Sequence, residues 1–348
     1  MKEIAQILDL WFSGAAATEE AILATVVRTQ GSSYRLPGAR LLLTKRGQRL
    51  GSISGGCLED DVVKKAWWLT ENGPIVKRYD TTPDNEISTS GYGMGCNGIV
   101  HVMIERIKPG QATILDLIRD VRLKRRAATV THILAPAAAV GWHLHVPAET
   151  PAHERDVFIE TLTPAVRLLV FGAGEDAIPL TELAKYLGWS VAVYDGRAHY
   201  ARREKFPKAD EVSVRLAGAP LPAVDPWTVA VLMSHSYSQD LDALRELAHL
   251  PLRYLGILGP NKRTAQLLSD VGLSDGGIPA RLHGPMGLDI GADGPEQVAL
   301  AVIAEIQATL NNREGGALCS RNGSIHATEI HADGGDGAAA WTRSIVCA

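Results

Sequence analysis

The chain has 348 residues, more than one hydrophobic core usually accommodates, which suits two domains of roughly 100–200 residues each. Apolar residues make up 46% and charged residues 21%, as in ordinary soluble globular proteins. The formal net charge of −4 disfavours a nucleic acid or an anionic membrane as partner. No stretch approaches the roughly 18 apolar residues of a spanning helix, so we expect no stable membrane insertion.

The cysteines and the N-terminus indicate the compartment. Four cysteines are too few for a disulfide framework in a chain of this length; they are Cys57, Cys96, Cys319 and Cys347. Residues 1–14 carry two acidic side chains and no long apolar run, which indicates an amphipathic helix rather than a secretory signal. We therefore expect a cytoplasmic protein with reduced thiols.

The first 107 residues are predicted to form a small α+β domain. Its predicted elements are strands at 22–27, 39–44, 49–54 and 99–105 and a helix at 58–69. Pro109 and Gly110 then mark a boundary. Residues 108–165 have weaker patterns, which indicate a helix at 112–121, a strand at 128–134 and a short candidate strand around His143 and His145. We interpret this segment as a connecting subdomain.

From residue 167 onward, strands and helices alternate regularly. The predicted strands are 167–171, 190–194, 228–233 and 254–258, and the helices are 177–187, 240–249, 262–270 and 295–310. This alternation predicts a Rossmann-type, doubly wound parallel sheet over residues 166–311. Residues 312–348, rich in Gly and Ala, are expected to form a loosely ordered tail. The fold class is therefore α/β, with a smaller N-terminal α+β domain.

A glycine turn opens this C-terminal domain. Gly172 would make the tight turn, and Gly174 would let the backbone approach a phosphate at the following helix N-terminus. Asp195 ends the second strand, where a carboxylate would accept hydrogen bonds from a ribose diol. A nucleotide site, for NAD(P) or for the nucleotide part of a dinucleotide cofactor, is one interpretation. A turn kept for the fold alone, or for another phosphate, is equally open.

His235 follows the third predicted strand of this domain. Ligands bind at that carboxyl edge in such sheets, so the imidazole is either catalytic or a ligand contact. A loop histidine that only contacts a ligand or solvent is the simpler interpretation.

Two cysteines lie in glycine-rich loops of the N-terminal domain. Cys57 follows Gly55 and Gly56 at a predicted helix N-terminus, where the helix dipole favours a thiolate. Cys96 lies in a loop whose backbone N–H groups can surround an anion. The pair indicates a site, although a small residue in a tight turn is the plain alternative. The absence of a CxxC pair and of clustered histidines disfavours zinc.

Many separated motifs, in order, resemble the XdhC/CoxI family of accessory proteins for molybdenum hydroxylases such as xanthine dehydrogenase. The N-terminal matches are GSSYR at 31–35, PGAR at 37–40, GSISGGCLE at 51–59 and GMGCNG at 93–98. The C-terminal matches include FGAG at 171–174, FPKAD at 206–210, YLGILG at 254–259 and PMGLDIGA at 285–292. Two positions depart from the family pattern. Glu175 replaces a histidine that is usual in the family, and its carboxylate would repel a phosphate. The usual Gly-Ser-Arg after the later strand is replaced by GPNK at 259–262, which keeps a basic residue, Lys262, but not the arginine.

The resemblance implies a chaperone that binds the molybdenum cofactor (molybdopterin), protects it during sulfuration and delivers it to a xanthine dehydrogenase-type molybdenum hydroxylase. The family's cysteines map onto Cys57 and Cys96, as contacts for the cofactor and its molybdenum; thiolates suit this soft metal. Arg35 and Arg40 either pair with the cofactor phosphate or are surface arginines paired with Asp60 or Asp61. A cysteine desulfurase and a homodimer are further implied partners.

Two other functions are compatible with the sequence. One is an NAD(P)-dependent oxidoreductase, with Asp195 on the ribose and His235 near the nicotinamide. The other is an assembly factor that binds no cofactor. A non-catalytic maturation factor is the interpretation that the motifs favour most.

Overall fold

The computed structural model describes residues 2–13, 18–81, 98–136, 139–143, 156–273, 281–320 and the backbone of 340–347. These residues fall into two compact units. One comprises Ala165–Ile325 with the first two residues, and the other comprises Glu3–Pro164 with His326–Ala348. Residues 108–164, expected as a connecting subdomain, thus belong to the same unit as the preceding residues.

The N-terminal unit contains three helices and nine strands within the described ranges. The helices are α1 (Lys2–Ser13), α2 (Glu59–Leu69) and α3 (Ile114–Lys124). The strands are β1 (Ala21–Gly31), β2 (Arg40–Thr44), β3 (Arg49–Gly51), β4 (Ile75–Asp80), β5 (Gly98–Ile107), β6 (Ala128–Ala135), β7 (Gly141–His143), β8 (Asp156–Pro164) and β15 (Ala340–Cys347).

These strands form two sheets. An antiparallel five-stranded sheet has the order β3-β2-β1-β5-β4, and a four-stranded sheet has the order β15-β8-β6-β7. Strand β15 runs parallel to β8, so part of the segment expected as a loose tail is in regular structure. Strands β4, β8 and β15 were not among the predicted elements.

Alternate residues of β1 enter different cores, as the period of two requires. Ile22 and Ala24 pack beneath α2 on one face of the five-stranded sheet. Ala21 and Leu23 lie on the other face, in a core shared with α1, α3 and the four-stranded sheet. The central strands of this unit are therefore buried on both faces.

The C-terminal unit is a Rossmann-type domain. Its helices are α4 (Ala177–Tyr186), α5 (Tyr237–Leu247), α6 (Asn261–Asp270) and α7 (Pro295–Leu310). Its strands are β9 (Arg167–Phe171), β10 (Ser190–Asp195), β11 (Glu211–Val214), β12 (Thr228–Leu232), β13 (Tyr254–Ile257) and β14 (Leu282–His283). The prediction of α/β alternation is confirmed here, with β11 and β14 added.

All strand pairs of this domain are parallel, in the order β11-β10-β9-β12-β13-β14. Leu168 and Val170 pack with α4 and α7 on one face, and Leu169 and Phe171 pack with α5 and α6 on the other. The sheet is thus doubly wound, as predicted. Its strand order reverses between β9 and β12, which is where ligands bind in such folds.

Among the described ranges, none of the helices is both long and apolar enough to cross a membrane.

Candidate functional site

The loop between β3 and α2, which carries Cys57, is organised by Glu59. Glu59 Oε1 accepts hydrogen bonds from Ser52 Oγ at 2.8 Å, and from the N–H groups of Ile53 at 3.0 Å and Ser54 at 2.9 Å. Its Oε2 accepts from Gly56 N at 3.0 Å and from the Ser54 hydroxyl. One carboxylate thereby holds five hydrogen-bond donors of the loop in place.

Burial alone would raise the pKa of Glu59, but hydrogen bonds from Ser54, Ser52 and the loop backbone hold it down, to about 2. Glu59 is therefore ionised at neutral pH while only 5% exposed. The N–H groups of Ile53, Ser54 and Gly56 therefore already bind the protein's own anion, the Glu59 carboxylate. Sequence reasoning assigned Glu59 no role beyond its place in the motif at 51–59, because nothing local shows that its side chain turns back onto the loop.

Cys57 is exposed and borders a cavity of about 330 Å³. The cavity is lined by Ser33, Tyr34, Ser54, Gly55, Cys57, Leu58, Thr81 and Val100. The Tyr34 ring is 68% exposed and lies against the loop, since a Cβ at Gly55 would come within 3.3 Å of it. The cavity thus combines a free thiol with an aromatic ring.

The two arginines expected near this loop have other partners. Arg35 pairs with Glu3 of α1, and about a quarter of each side chain is exposed. Arg40 is 1% exposed, and its Nη2 lies 2.6 Å from Glu160 Oε2. The expectation that Arg40 contacts a cofactor phosphate, or pairs with an acid at the surface, is therefore wrong, because its guanidinium is enclosed between the two sheets.

Cys96 lies outside the described residues, as does the rest of the second glycine loop up to position 97. The residues that flank this segment are hydrogen-bonded to each other. Thr81 N donates to Gly98 O at 2.9 Å, and Thr81 also lines the cavity beside Cys57. Within the part of the chain that the structure describes, no group of three or more His, Cys, Asp or Glu residues could hold a metal ion.

In the Rossmann-type domain, Asp195 is fully engaged. Its Oδ1 accepts from Arg197 N at 2.9 Å and Arg197 Nε at 2.8 Å, and its Oδ2 accepts from Ala173 N at 2.9 Å and Arg197 Nη2 at 2.8 Å. Burial opposes ionisation, yet these hydrogen bonds hold the pKa of Asp195 below its ordinary value. A carboxylate has about four acceptor positions. All four are occupied, so this conformation leaves none for a ribose diol.

The two glycines of the turn differ in what an added side chain would meet. Gly172 has φ +128°, and a Cβ there would lie 2.4 Å from the Met233 carbonyl at the end of β12. The close approach of two strand ends requires Gly172 whether or not a phosphate binds. A Cβ at Gly174 would meet Asp176 Oδ1 at 2.6 Å. Glu175 is 79% exposed, and Lys205 Nζ lies 2.7 Å from its Oε1.

His235 lies at the carboxyl end of β12, beside the glycine turn. Its backbone has φ +55°, and its Nε2 lies 2.7 Å from Asp176 Oδ2 at the start of α4. The side chain is 62% exposed. The structure thus brings Gly172, Gly174, Asp195 and His235 to one edge of the sheet, as the topology requires.

Known proteins share this architecture. Residues 15–80 match the model of the XdhC and CoxI family, and residues 168–306 match that of the XdhC Rossmann domain. A relative from Bacillus subtilis (strain 168), named as a probable xanthine dehydrogenase subunit, is 35% identical over 316 residues, covering 84% of this chain and 93% of the relative. The chain belongs to the XdhC and CoxI family.

Two further similarities extend along both units of this XdhC and CoxI family member. A solved structure titled as a xanthine dehydrogenase from Bacillus halodurans has a TM-score of 0.77 at 28% identity, over 92% of this chain and 99% of that chain. The "Molybdenum cofactor insertion chaperone PaoD" of Escherichia coli (strain K12) is 22% identical, over 84% of this chain and 85% of that protein. The resemblance inferred from the sequence motifs is confirmed.

Proposed function

We propose that this XdhC and CoxI family member is a chaperone for the molybdenum cofactor, which it protects during sulfuration and delivers to a xanthine dehydrogenase-type molybdenum hydroxylase. The names of two relatives support this class of function. The observation that carries the proposal is the exposed thiol of Cys57 at a cavity of about 330 Å³. The cofactor is cargo here rather than a resident group.

The residues around this cavity fit such a cargo. A cysteine thiolate is a soft ligand suited to molybdenum and its sulfur ligands. The exposed Tyr34 ring offers a flat surface for the pterin. Glu59 holds the loop open, so the thiol is presented without rearrangement. Arg35 directly follows two lining residues and is the basic side chain we assign to the cofactor phosphate, in exchange for Glu3.

The proposal includes a second thiol and two protein partners. We assign Cys96 to the same site on the basis of its family motif. A cysteine desulfurase would supply the sulfur, and the hydroxylase would receive the cofactor. A homodimer is the assembly we expect for the chaperone.

The decisive experiment measures molybdopterin binding by the purified full chain. We expect Cys57→Ala and Cys96→Ala each to weaken binding at least tenfold. Cys319→Ala is the matched control, since Cys319 is also an exposed, unbridged cysteine but lies in the other unit. Unchanged affinity in both Cys57→Ala and Cys96→Ala would remove the thiols from the mechanism. A parent protein that binds no cofactor would instead indicate an assembly factor.

The geometry does not favour the alternative of an NAD(P)-dependent oxidoreductase. That reaction needs an Asp195 carboxylate open to the ribose, yet all its acceptor positions are taken. Calorimetry with NAD(H) tests this directly. Tight binding that is lost in Asp195→Ala would restore the alternative.

A further inference from the structure

A second cavity, of about 260 Å³, lies at the carboxyl edge of the Rossmann-type sheet. It is bordered by the ends of β9, β10 and β12 and by the first turns of α5, beside the point where the strand order reverses. Its floor is apolar, with the buried side chains of Phe171 and Ala243, and the exposed Leu216 adds an apolar side chain at its edge. A flat heterocyclic ring fits a floor of this kind, because its faces are apolar and its edge is polar.

The rim of this cavity carries groups suited to the edge of such a ring. Ser238, Gln239 and Asp242 line it from α5, and Asp242 lies four residues after Ser238 and three after Gln239, close enough for helical neighbours. Gln239 Oε1 accepts from Gly196 N at 2.9 Å, which fixes the amide and leaves its NH₂ group as a donor. Asp242 supplies an acceptor, since its only contact with a basic group within the described ranges is to Arg245, at 3.4 Å. Donor and acceptor thus stand side by side on one wall.

Arg197 lines the cavity and brings it a preorganised positive charge. Its Nε and Nη2 bind Asp195, and Nη2 also donates to Ser234 O at 2.8 Å. The guanidinium lies over the Tyr200 ring, 4.1 Å from the centroid. Its Nη1 makes no hydrogen bond to any other described residue and is left for an incoming anion. A guanidinium held in this way suits a phosphate oxygen.

The neighbouring glycine turn does not suit a second phosphate. Asp176 places a carboxylate at the start of α4, and Glu175 adds another. Lys205, the nearby cation, is committed to Glu175 and to Ala173 O at 2.9 Å. Carboxylates at a helix N-terminus occupy the place that a pyrophosphate takes in dinucleotide-binding domains.

We propose that the cavity bordered by Arg197, Gln239 and Asp242 binds a nucleoside monophosphate, free or as one end of a larger cofactor, and not a dinucleotide laid across the glycine turn. The base lies on the apolar floor with its edge toward α5, and the phosphate meets Arg197. Asp195 acts as a positioning residue that holds this guanidinium.

The test is calorimetry on the full chain with CMP, GMP, AMP, the corresponding nucleosides and NAD⁺. We expect at least one monophosphate to bind, about tenfold more tightly than its nucleoside, and NAD⁺ to bind no more tightly than AMP. Ala217→Trp should weaken binding at least tenfold, because Ala217 is exposed at the cavity and the indole would fill it. Ala317→Trp is the matched control, an exposed alanine of the same unit that does not line the cavity.

Three results would overturn the inference: no monophosphate binds, Ala217→Trp binds as well as the parent, or NAD⁺ binds at least tenfold more tightly than AMP. The inference does not depend on the proposed chaperone function. Cys57 and this cavity lie in different units, so loss of molybdopterin binding in Cys57→Ala and loss of nucleotide binding in Ala217→Trp are separate outcomes.

Discussion

Arg40 and Glu160 form an ion pair that is closed to solvent and joins the two sheets of the N-terminal unit. Arg40 Nη2 lies 2.6 Å from Glu160 Oε2, and the side chains are 1% and 0% exposed. His132 Nε2 lies 2.8 Å from the same oxygen. Taking charges out of water is costly unless each has a close partner. Each residue of this pair is therefore needed chiefly because the other is present.

This pair gives the first prediction. We expect Arg40→Met to lower the free energy of unfolding by about 3–5 kcal/mol, because Glu160 is left as a buried charge without its guanidinium. The double variant Arg40→Met/Glu160→Leu should recover most of that loss. Urea denaturation of the parent and both variants measures the effect. A double variant no more stable than Arg40→Met would show that the lost charge balance is not the cause.

Glu105 predicts a dependence of stability on pH. It is buried on the same face of the five-stranded sheet, and its Oε1 has no hydrogen-bond partner among the described residues. Burial raises the pKa of Glu105 to about 7, although Arg40 acts to lower it. The folded state therefore holds the proton more tightly than the unfolded chain does. The resulting stabilisation is complete below about pH 4.5 and is lost as the pH rises to about 7.

Glu105→Gln isolates this contribution, because glutamine resembles the protonated acid and does not titrate. Relative to the variant, the parent should lose on the order of 3 kcal/mol of unfolding free energy between pH 4.5 and 7.5. Denaturation curves at pH 5, 6, 7 and 8 provide the comparison. Parallel pH profiles for the two proteins would mean that Glu105 titrates normally when folded.

Glu59 predicts the opposite dependence. Its folded pKa of about 2 lies below the ordinary 4.5, so its stabilisation is complete above about pH 4.5 and is lost as the pH falls toward 2. Glu59→Gln should cost about 1–3 kcal/mol at pH 7, because the loop donors lose a charged acceptor. The difference from the parent should shrink at pH 3. Asp60→Asn is the control, since Asp60 is 71% exposed and should cost little.

Gly172 and Gly218 both have positive φ, but we expect alanine to destabilise the protein more at Gly172. Gly172→Ala should lower the free energy of unfolding by about 3 kcal/mol or more, because a Cβ would overlap the Met233 carbonyl in addition to the unfavourable φ. Gly218→Ala has φ +73° but open space around the added Cβ, so only about 1 kcal/mol is expected. Equal effects in thermal or urea unfolding would remove the close approach as the reason for Gly172.

The local hydrophobic pattern was sufficient to predict most of the helices and strands. The alternation of strands and helices from residue 167 depends on periods of two and 3.6 that the sequence displays directly, and the fold follows from them. The motifs around Cys57 likewise indicated the family. Strand β15 escaped prediction because it lies in a Gly- and Ala-rich segment and its pairing partner, β8, is more than 170 residues away along the chain.

The sequence by itself determined the Rossmann-type fold, the family and the position of Cys57 in a glycine loop, whereas its exposure is known only from the structure. Only the tertiary structure decided which charges are free. Arg40 meets a partner 120 residues away. Asp195 is saturated by the Ala173 N–H and by Arg197, whose side chain lies over the Tyr200 ring. Residue type states what a side chain can bind, whereas burial and distance, which depend on packing between distant segments, state what it already binds.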